Sequence, residues 1–472
     1  MAQTIYDVAI LGGGPAGYTA AIRAGQYGLK VALVEESEKL GGTCLHVGCI
    51  PTKSLLFNAE IYDYLKHAKE YGIEGLGDGQ VNWKSVLDRK DQIVAKHTKG
   101  LDFLMRKNKV TVVQGFGKLT GPATNGVLAI GVGGREGATT VQAKNILLAT
   151  GSNAKLLPGL AGDDRILTNT EILSLQQIPK SLVIIGAGAV GVEFGSIFRS
   201  FGSEISIIEF LPRVVPNEDQ DISKELERSF KKRAIGINVS AKVEKVEKTK
   251  TGVKVTFTAP DGKKAEKEAE KVLVAVGRAP RIEGIGLETT KIKPEHGFIQ
   301  VDEWMQTEEP GIYAIGDIVA GLPQLAHTGA MSGMVVAAKI AGRYARPIRR
   351  ERVPACTYSE PQIGSVGLTE AMTKERGYRV KVGKFPFSAN SKASIVNSHE
   401  GFVKVVADAK YGEVLGVHII GPQATELIAE AVTALELEAT VEEMMFTIHA
   451  HPTLSEAMLD GFGSVMGMAI NV

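Results

Sequence analysis

Two glycine fingerprints, each followed by an acid at the same interval, constrain this chain more than anything else in it. The first, DVAILGGGPAG, is an apolar run of buried-strand type leading into Gly12, Gly14 and Gly17 in G-x-G-x-x-G spacing. The second, SLVIIGAGAVG, carries Gly186, Gly188 and Gly191 in the same spacing. After the first, GLKVALVEE reads as a strand ending at Glu35; after the second, GSEISIIEF ends likewise at Glu209. A lone G-x-G-x-x-G means little. A strand, glycine turn, helix and second strand closing on an acid is the context that dinucleotide binding requires. The glycines allow a tight turn and close backbone approach. The helix N-terminus then offers free N–H groups to a pyrophosphate, and the acid accepts ribose hydroxyls.

Two such sites predict an α/β fold with two Rossmann-like dinucleotide-binding domains. One chain holding two dinucleotides should pass electrons between them, so FAD and a nicotinamide are the natural pair. Glu209 favours NAD over NADP, because a carboxylate there repels a 2′-phosphate. Arg213, four residues further on, is the feature that tempers this preference.

The chain is long enough for two to four domains. Its 44% hydrophobic and 23% charged content is that of a globular protein. A net charge of +1 gives no basic footprint for nucleic acid or an anionic membrane surface. No apolar run is long enough to span a bilayer, and the first residues pass straight into a strand pattern without a leader. Three cysteines are too few for a disulfide framework. A cytoplasmic location is expected, where disulfides are usually transient and catalytic.

Other segments fit around the fingerprints. QAKNILLATGSNAKLLPG is a buried strand ending at Thr150, Gly151 and Ser152, and KVLVAVGRAP ends similarly at Gly277 and Arg278. These turns are expected where the chain crosses between nucleotide domains. The stretch 242–271 alternates apolar and charged residues about APDG and reads as an exposed hairpin. GIYAIGDIV is a buried strand with Asp317 just past its end, a plausible cofactor contact. From about Arg346 the basic, proline-flanked ARPIRRERVP reads as a linker. A separate α+β domain of short strands and the helical QATELIAEAVTALELEA follows.

GGTCLHVGCIPTKSLL holds Cys44 and Cys49, with His46 between them. It could be a metal site, a staple or a redox pair. Structural zinc wants four ligands, and no second cluster exists to supply them. As a staple the pair would close too small a loop to matter much. On an ideal helix such residues stand roughly 8 to 9 Å apart, whereas a disulfide wants about 4.4 to 6.8 Å between Cα atoms. A bridge therefore needs a distorted backbone. Gly48 and Pro51 are suited to supply it, and the bridge would be readily reduced. Lys53 lies one helical turn beyond Cys49, where its charge could stabilise a thiolate or a reduced flavin. FTIHAHPTLSEAM offers His449, His451 and Glu456. A histidine oriented by a carboxylate can take a proton from an incoming thiol.

These motifs, together with LATGS, IIGAGAVGVEFGSIF, VGRAP, YAIGDIV, LAHTGAMSG and HAHPTLSEA in that order, resemble the class I pyridine nucleotide–disulfide oxidoreductases end to end. Within them the closest likeness is to the dihydrolipoyl dehydrogenases. The resemblance implies an FAD domain (1–150), an NAD domain (151–277), a central region completing the FAD domain (278–347) and a C-terminal interface domain (348–472). It also implies a homodimer whose partners are lipoyl-bearing subunits of 2-oxo acid dehydrogenase complexes or of the glycine cleavage system, with no metal.

By motif, it makes Cys44 the thiol that meets substrate and Cys49 the thiol against the flavin. Lys53 is placed near the flavin and paired with Glu193. His451 is the base held by Glu456, and both reach the other subunit's disulfide. Asp317, Ala326 and His327 are placed against FAD with Gly12, Gly14, Gly17, Glu35, Gly117, Thr150, Gly151 and Ser152. Gly186, Gly188, Gly191, Glu209 and Gly277 are placed against NAD. Three positions depart from the usual pattern: His46 where asparagine is common, Ala154 where proline is common, and a less charged stretch after His327. Cys356 fits no motif and is expected to be a small core residue. A glutathione-reductase-like enzyme or a non-catalytic flavoprotein scaffold are the alternatives. Glu209 argues against the first, and the presence of Cys44, Cys49, His451 and Glu456 against the second.

Overall fold

A computed structural model describes residues 4–75, 79–134 and 137–471. Met1–Gln3, where the sequence shows no leader pattern, and Val472 lie outside them. Two compact units result. The first comprises Met1–Ser54, Leu87–Lys155 and Arg278–Arg350; the second comprises Leu55–Val86, Leu156–Gly277 and Glu351–Val472.

In the first unit the apolar run of the first fingerprint forms the strand Ile5–Leu11, at the heart of a seven-stranded sheet. It pairs in parallel with Val31–Glu35 on one side and Gly137–Leu148 on the other. Thr111–Gln114 and Ile312–Ala314 extend the parallel part, while Phe116–Leu119 and Leu128–Gly134 pair antiparallel. Val8, Ile10, Leu33, Ile146 and Leu148 are buried in one continuous core. The continuous apolar runs, rather than alternating ones, follow from burial on both faces. Helix Pro15–Gln26 packs on helix Ala326–Ile340 through small residues. A Cβ on Gly333 would stand 2.6 Å from the Ala16 carbonyl oxygen. That close approach sets the N-terminus of the second helix, with Ala326 and His327, beside the fingerprint helix.

In the second unit Ser181–Ile185 pairs in parallel with Glu204–Ile208 and Lys271–Val274. Helix Ala189–Ser200 connects the first two, repeating the first unit's strand–helix–strand plan. The segment expected as an exposed hairpin forms three antiparallel strands instead: Lys242–Lys248, Val253–Thr258 and Lys264–Ala269. Its middle strand puts Val253, Val255 and Phe257 into the core of the parallel sheet. The alternation in VKVTFT is the mark of a half-buried strand, and its apolar face was read too lightly.

The C-terminal part of this unit is a five-stranded antiparallel sheet, with Val414–Gly421 buried throughout near its centre. Helices Ala424–Glu436 and Glu456–Val465 cover it. Phe385, Val403, Ile419, Ile428 and Phe462 form the core, and Cys356 packs at its margin, half-buried. Lys404, in the strand Phe402–Asp408, is almost wholly buried among three carboxylates. Its Nζ lies 2.8 Å from Asp219, 3.1 Å from Asp221 and 2.9 Å from Glu370. Asp219 caps the helix Gln220–Lys232, and Glu400 accepts from Ser229 and Lys232 of the same helix.

Among the described residues no helix is long and apolar enough to cross a membrane.

Candidate active site

The two fingerprints fold alike, atom for atom where it matters. Gly12 adopts φ +110° and Gly186 φ +105°, a region that favours glycine. A Cβ on Gly12 would lie 2.3 Å from the Ala149 carbonyl oxygen, and one on Gly186 2.4 Å from that of Ala275. Gly17 and Gly191 close the turns: their Cβ atoms would fall 1.8 and 2.0 Å from the carbonyl oxygens of Gly12 and Gly186. Gly188 instead faces open space, a Cβ on Gly14 would make only ordinary contact with Gly42 at 3.9 Å, and both glycines begin their helices with no side-chain cap. Each site thus presents uncapped backbone N–H groups in a cradle that a side chain would fill, which fits a pyrophosphate.

The acids brace these turns. Glu35 Oε2 accepts the Gly13 N–H at 2.6 Å and Oε1 that of Ser37 at 2.8 Å. Glu209 repeats this with Ala187 at 2.6 Å and Leu211 at 2.8 Å. Each carboxylate oxygen keeps a second lone pair for a ribose hydroxyl. Beyond Glu35, a pocket of about 300 Å³ lined by Ser37, Leu40, Met105, Arg106 and Gln114 continues the line a dinucleotide would take. Arg213, the residue that tempered the preference for NAD, donates to the Pro216 carbonyl oxygen at 2.6 and 3.2 Å. Its guanidinium is engaged rather than extended toward a 2′-phosphate. Replacing Glu209 with alanine is expected to raise the KM for NAD⁺ about tenfold or more, since a hydrogen bond to a charged group is worth about 1.5–3 kcal/mol. Flavin content should be unchanged, and steady-state kinetics beside the flavin absorbance checks both.

Around the first fingerprint, Ser152 donates to Asp317 at 2.5 Å, and Thr150 to the Arg281 carbonyl oxygen at 2.5 Å. Asp317 sits in the turn Gly316–Ile318, past the end of its strand as the sequence predicts. Gly151 is at φ +73° with open space above it, and Gly277 at φ +104° likewise. Gly117 packs differently. A Cβ there would lie 2.6 Å from Leu11 and 3.0 Å from Val34, so it offers only its backbone.

Arg278 joins this group, although no sequence motif gives it a role. Its Nε donates to Ser152 Oγ at 2.7 Å and an NH2 group reaches Thr43 Oγ1 at 3.4 Å, with Asp317 4.0 Å away. Its partners lie 126 and 235 residues away in the chain, so no local pattern signals the contact. Burial lowers the Arg278 pKa, against the opposing fields of Asp317 and Cys49.

The cysteine pair sits where the helix is broken. One helix, Gly42–Val47, ends at Gly48, and another, Cys49–Lys66, starts at once. A Cβ on Gly48 would stand 2.8 Å from the Thr43 carbonyl oxygen, so the break needs glycine. Pro51 falls in the first turn of the second helix, where a missing N–H leaves nothing unpaired. The expected distortion is therefore present, and it brings the two thiols within hydrogen-bonding reach, with no bond between the sulfurs. The Cys44 thiol is pushed well up. The hydrogen bond with Cys49 and burial raise it, and Lys53 pulls the other way. The same fields reach Tyr18 of the fingerprint helix: burial, then Cys44 and Cys49, raise its pKa. His46 bonds through Nε2 to the Leu40 carbonyl oxygen at 2.9 Å. Among the described residues no group of three His, Cys, Asp or Glu side chains is placed to hold a metal ion.

In the second unit, Glu193 is buried in the second fingerprint helix and accepts the Tyr358 N–H at 2.9 Å. His451 and Glu456 pair as expected, Nδ1 to Oε1 at 2.9 Å, across a cis His451–Pro452 bond. Burial alone would raise the Glu456 carboxyl, but the Thr453 N–H at 2.8 Å and His451 outweigh it and hold the group ionised. The His451 ring, 71% exposed, presents its free Nε2 outward.

Residues 6–333 match the family described as pyridine nucleotide-disulphide oxidoreductase, and residues 353–461 match the dimerisation domain of that family. This chain belongs to the pyridine nucleotide-disulphide oxidoreductases. Within that family it is 45% identical to a dihydrolipoyl dehydrogenase of Bacillus subtilis, over 99% of both chains. It is 43% identical to one of Mycobacterium tuberculosis, over 99% of this chain and all of the other. The crystal structure of LpdA from Mycobacterium tuberculosis superposes with a TM-score of 0.88 at 28% identity, covering 96% of this chain and 98% of that one. As a member of this family, the chain is a mixed α/β flavoprotein oxidoreductase that ends in a dimerisation domain.

Proposed function

We propose that this chain oxidises protein-bound dihydrolipoyl groups to the lipoyl disulfide and reduces NAD⁺ to NADH, with FAD as the resident cofactor. The observation that carries this is a pair of facing thiols beside a dinucleotide cradle, in a chain that aligns end to end with dihydrolipoyl dehydrogenases. In this reading residues 1–150 with 278–347 hold FAD, 151–277 hold NAD and 348–472 form the interface of a cytoplasmic homodimer. A lipoyl-bearing subunit of a 2-oxo acid dehydrogenase complex or of the glycine cleavage system brings the substrate.

The cycle starts from the Cys44–Cys49 disulfide. In the homodimer, His451 Nε2 of one copy takes the proton of a substrate thiol at the other copy's disulfide, while Glu456 holds Nδ1–H and offsets the charge that forms. The thiolate attacks Cys44 and forms a mixed disulfide, releasing Cys49 as thiolate. The second substrate thiol then displaces Cys44, and the lipoyl disulfide leaves. Lys53 lowers the cost of negative charge at the pair. When bound, FAD would supply the two-electron chemistry that links the thiol pair to NAD⁺. The sum is dihydrolipoyl plus NAD⁺ giving lipoyl disulfide, NADH and a proton. Glu35 and Glu209 hold the two ribose ends, and Asp317, Ser152 and the turn before Ala326 line the FAD side.

The test is NADH formation from dihydrolipoamide and NAD⁺ by purified, flavin-loaded protein, run beside NADPH with glutathione disulfide. Turnover of the first pair alone is expected. Turnover of the second pair alone would overturn the substrate assignment.

A further inference from the structure

Two residues before the base, His449 is held as His451 is not. Its Nε2 lies 2.8 Å from Glu430 Oε1 and its Nδ1 2.8 Å from the Thr447 carbonyl oxygen. A carbonyl oxygen and a carboxylate both accept, so this pair of partners favours a proton on each ring nitrogen. Its side chain is 5% exposed, and the carboxylate beside it offsets the buried charge. The Glu430 bond raises the His449 pKa and burial opposes it.

The segment that carries His451 needs such a pin. Residues 446–455 form neither helix nor strand. Leu454 anchors the far end of this segment in the core, but the large apolar side chains ahead of His449 do not hold it: Phe446 is 75% and Ile448 96% exposed. Thr453 bonds to Ala450 within the turn, and Asn390 reaches the Thr453 carbonyl oxygen at 3.1 Å. His449–Glu430 is the charged tie, and it runs to the well-packed helix Ala424–Glu436. His449 also acts on Glu456 directly, its positive field helping to keep that carboxylate ionised.

We propose that Glu430 and His449 are positioning residues for the base. They form a second histidine–carboxylate pair that fixes the His451 turn to the helix Ala424–Glu436 and supports Glu456 as the orienting carboxylate. This rests on the dihydrolipoyl reading of the site. Both ring nitrogens of His449 are bonded within the protein, so the pair acts on the rate of proton removal rather than on binding.

The test uses the flavin-loaded protein with Glu430→Ala, His449→Ala and the double variant. Two activities are measured: dihydrolipoamide with NAD⁺, which needs the base, and NADH with ferricyanide, which needs flavin but no base. Each single variant is expected to lose about tenfold in kcat for dihydrolipoamide, since small misplacements of a catalytic group cost that much or more. KM and the ferricyanide rate should stay within about twofold. The double variant should be no worse than either single one, because a pair acting as a unit is non-additive.

Unchanged kcat, additive losses or a parallel fall in ferricyanide reduction would overturn the proposal. A wild type that reduces ferricyanide yet ignores dihydrolipoamide would overturn the lipoyl reading and the proposal with it. Should Glu430→Ala not fold, Glu430→Gln keeps the shape, removes the charge and must lower kcat in the same way.

Discussion

Replacing Cys44 with serine is expected to abolish dihydrolipoamide oxidation, by about three orders of magnitude or more, the scale on which loss of a covalent nucleophile acts. A serine oxygen can form neither the disulfide with Cys49 nor the mixed disulfide with substrate. The loss should be selective. Nothing in the fingerprints depends on Cys44, so flavin should still load and ferricyanide should still be reduced by NADH. The variant also isolates Cys49. In the native pair the Cys44 thiol donates toward Cys49 and takes much of its raised pKa from that contact. Iodoacetamide labelling against pH, with the labelled peptide identified to separate it from Cys356, would follow Cys49 in the variant. Full lipoamide turnover by Cys44→Ser would mean that the disulfide is not the route of electrons.

The second large effect is expected at the base. His451→Gln should lower kcat for dihydrolipoamide by roughly 10²- to 10⁴-fold, the usual contribution of a positioned general base. Glutamine keeps a donor for Glu456 and much of the ring's reach, but it cannot accept a proton. Rapid mixing with dihydrolipoamide, followed through the flavin absorbance, would place the defect in the reductive half-reaction. Reduction of the flavin at the wild-type rate would show that another group deprotonates the thiol.

The parts of this site that could be read in the sequence are those whose physics is local. Gly12, Gly17, Gly186 and Gly191 are required by carbonyl oxygens within a few residues or on the adjoining strand. Glu35 and Glu209 close loops that begin 22 residues earlier. The break at Gly48 was legible because a helix cannot bring residues 44 and 49 together. What was missed is non-local. Arg278 finds Thr43 and Ser152 through the folding of the sheet. Glu430 meets His449 across 19 residues and two helices. A lone glutamate in QATELIAEAVTALELEA looks like any exposed helical acid. The stretch 242–271 failed for a different reason. Its alternation was seen, but its dense charge outweighed three well-spaced apolar residues, Val253, Val255 and Phe257, that a sheet needed.

Lys404 carries a consequence for how the second unit comes apart. Its ammonium belongs to the dimerisation sheet, while Asp219 and Asp221 belong to the helix that follows the second fingerprint. Losing either partner strands buried charge, a penalty of about 3–5 kcal/mol. Neither half can therefore open alone without exposing its counterpart to that cost. The nucleotide half and the dimerisation half are coupled into one cooperative folding block, so damage to the second fingerprint propagates into the assembly surface.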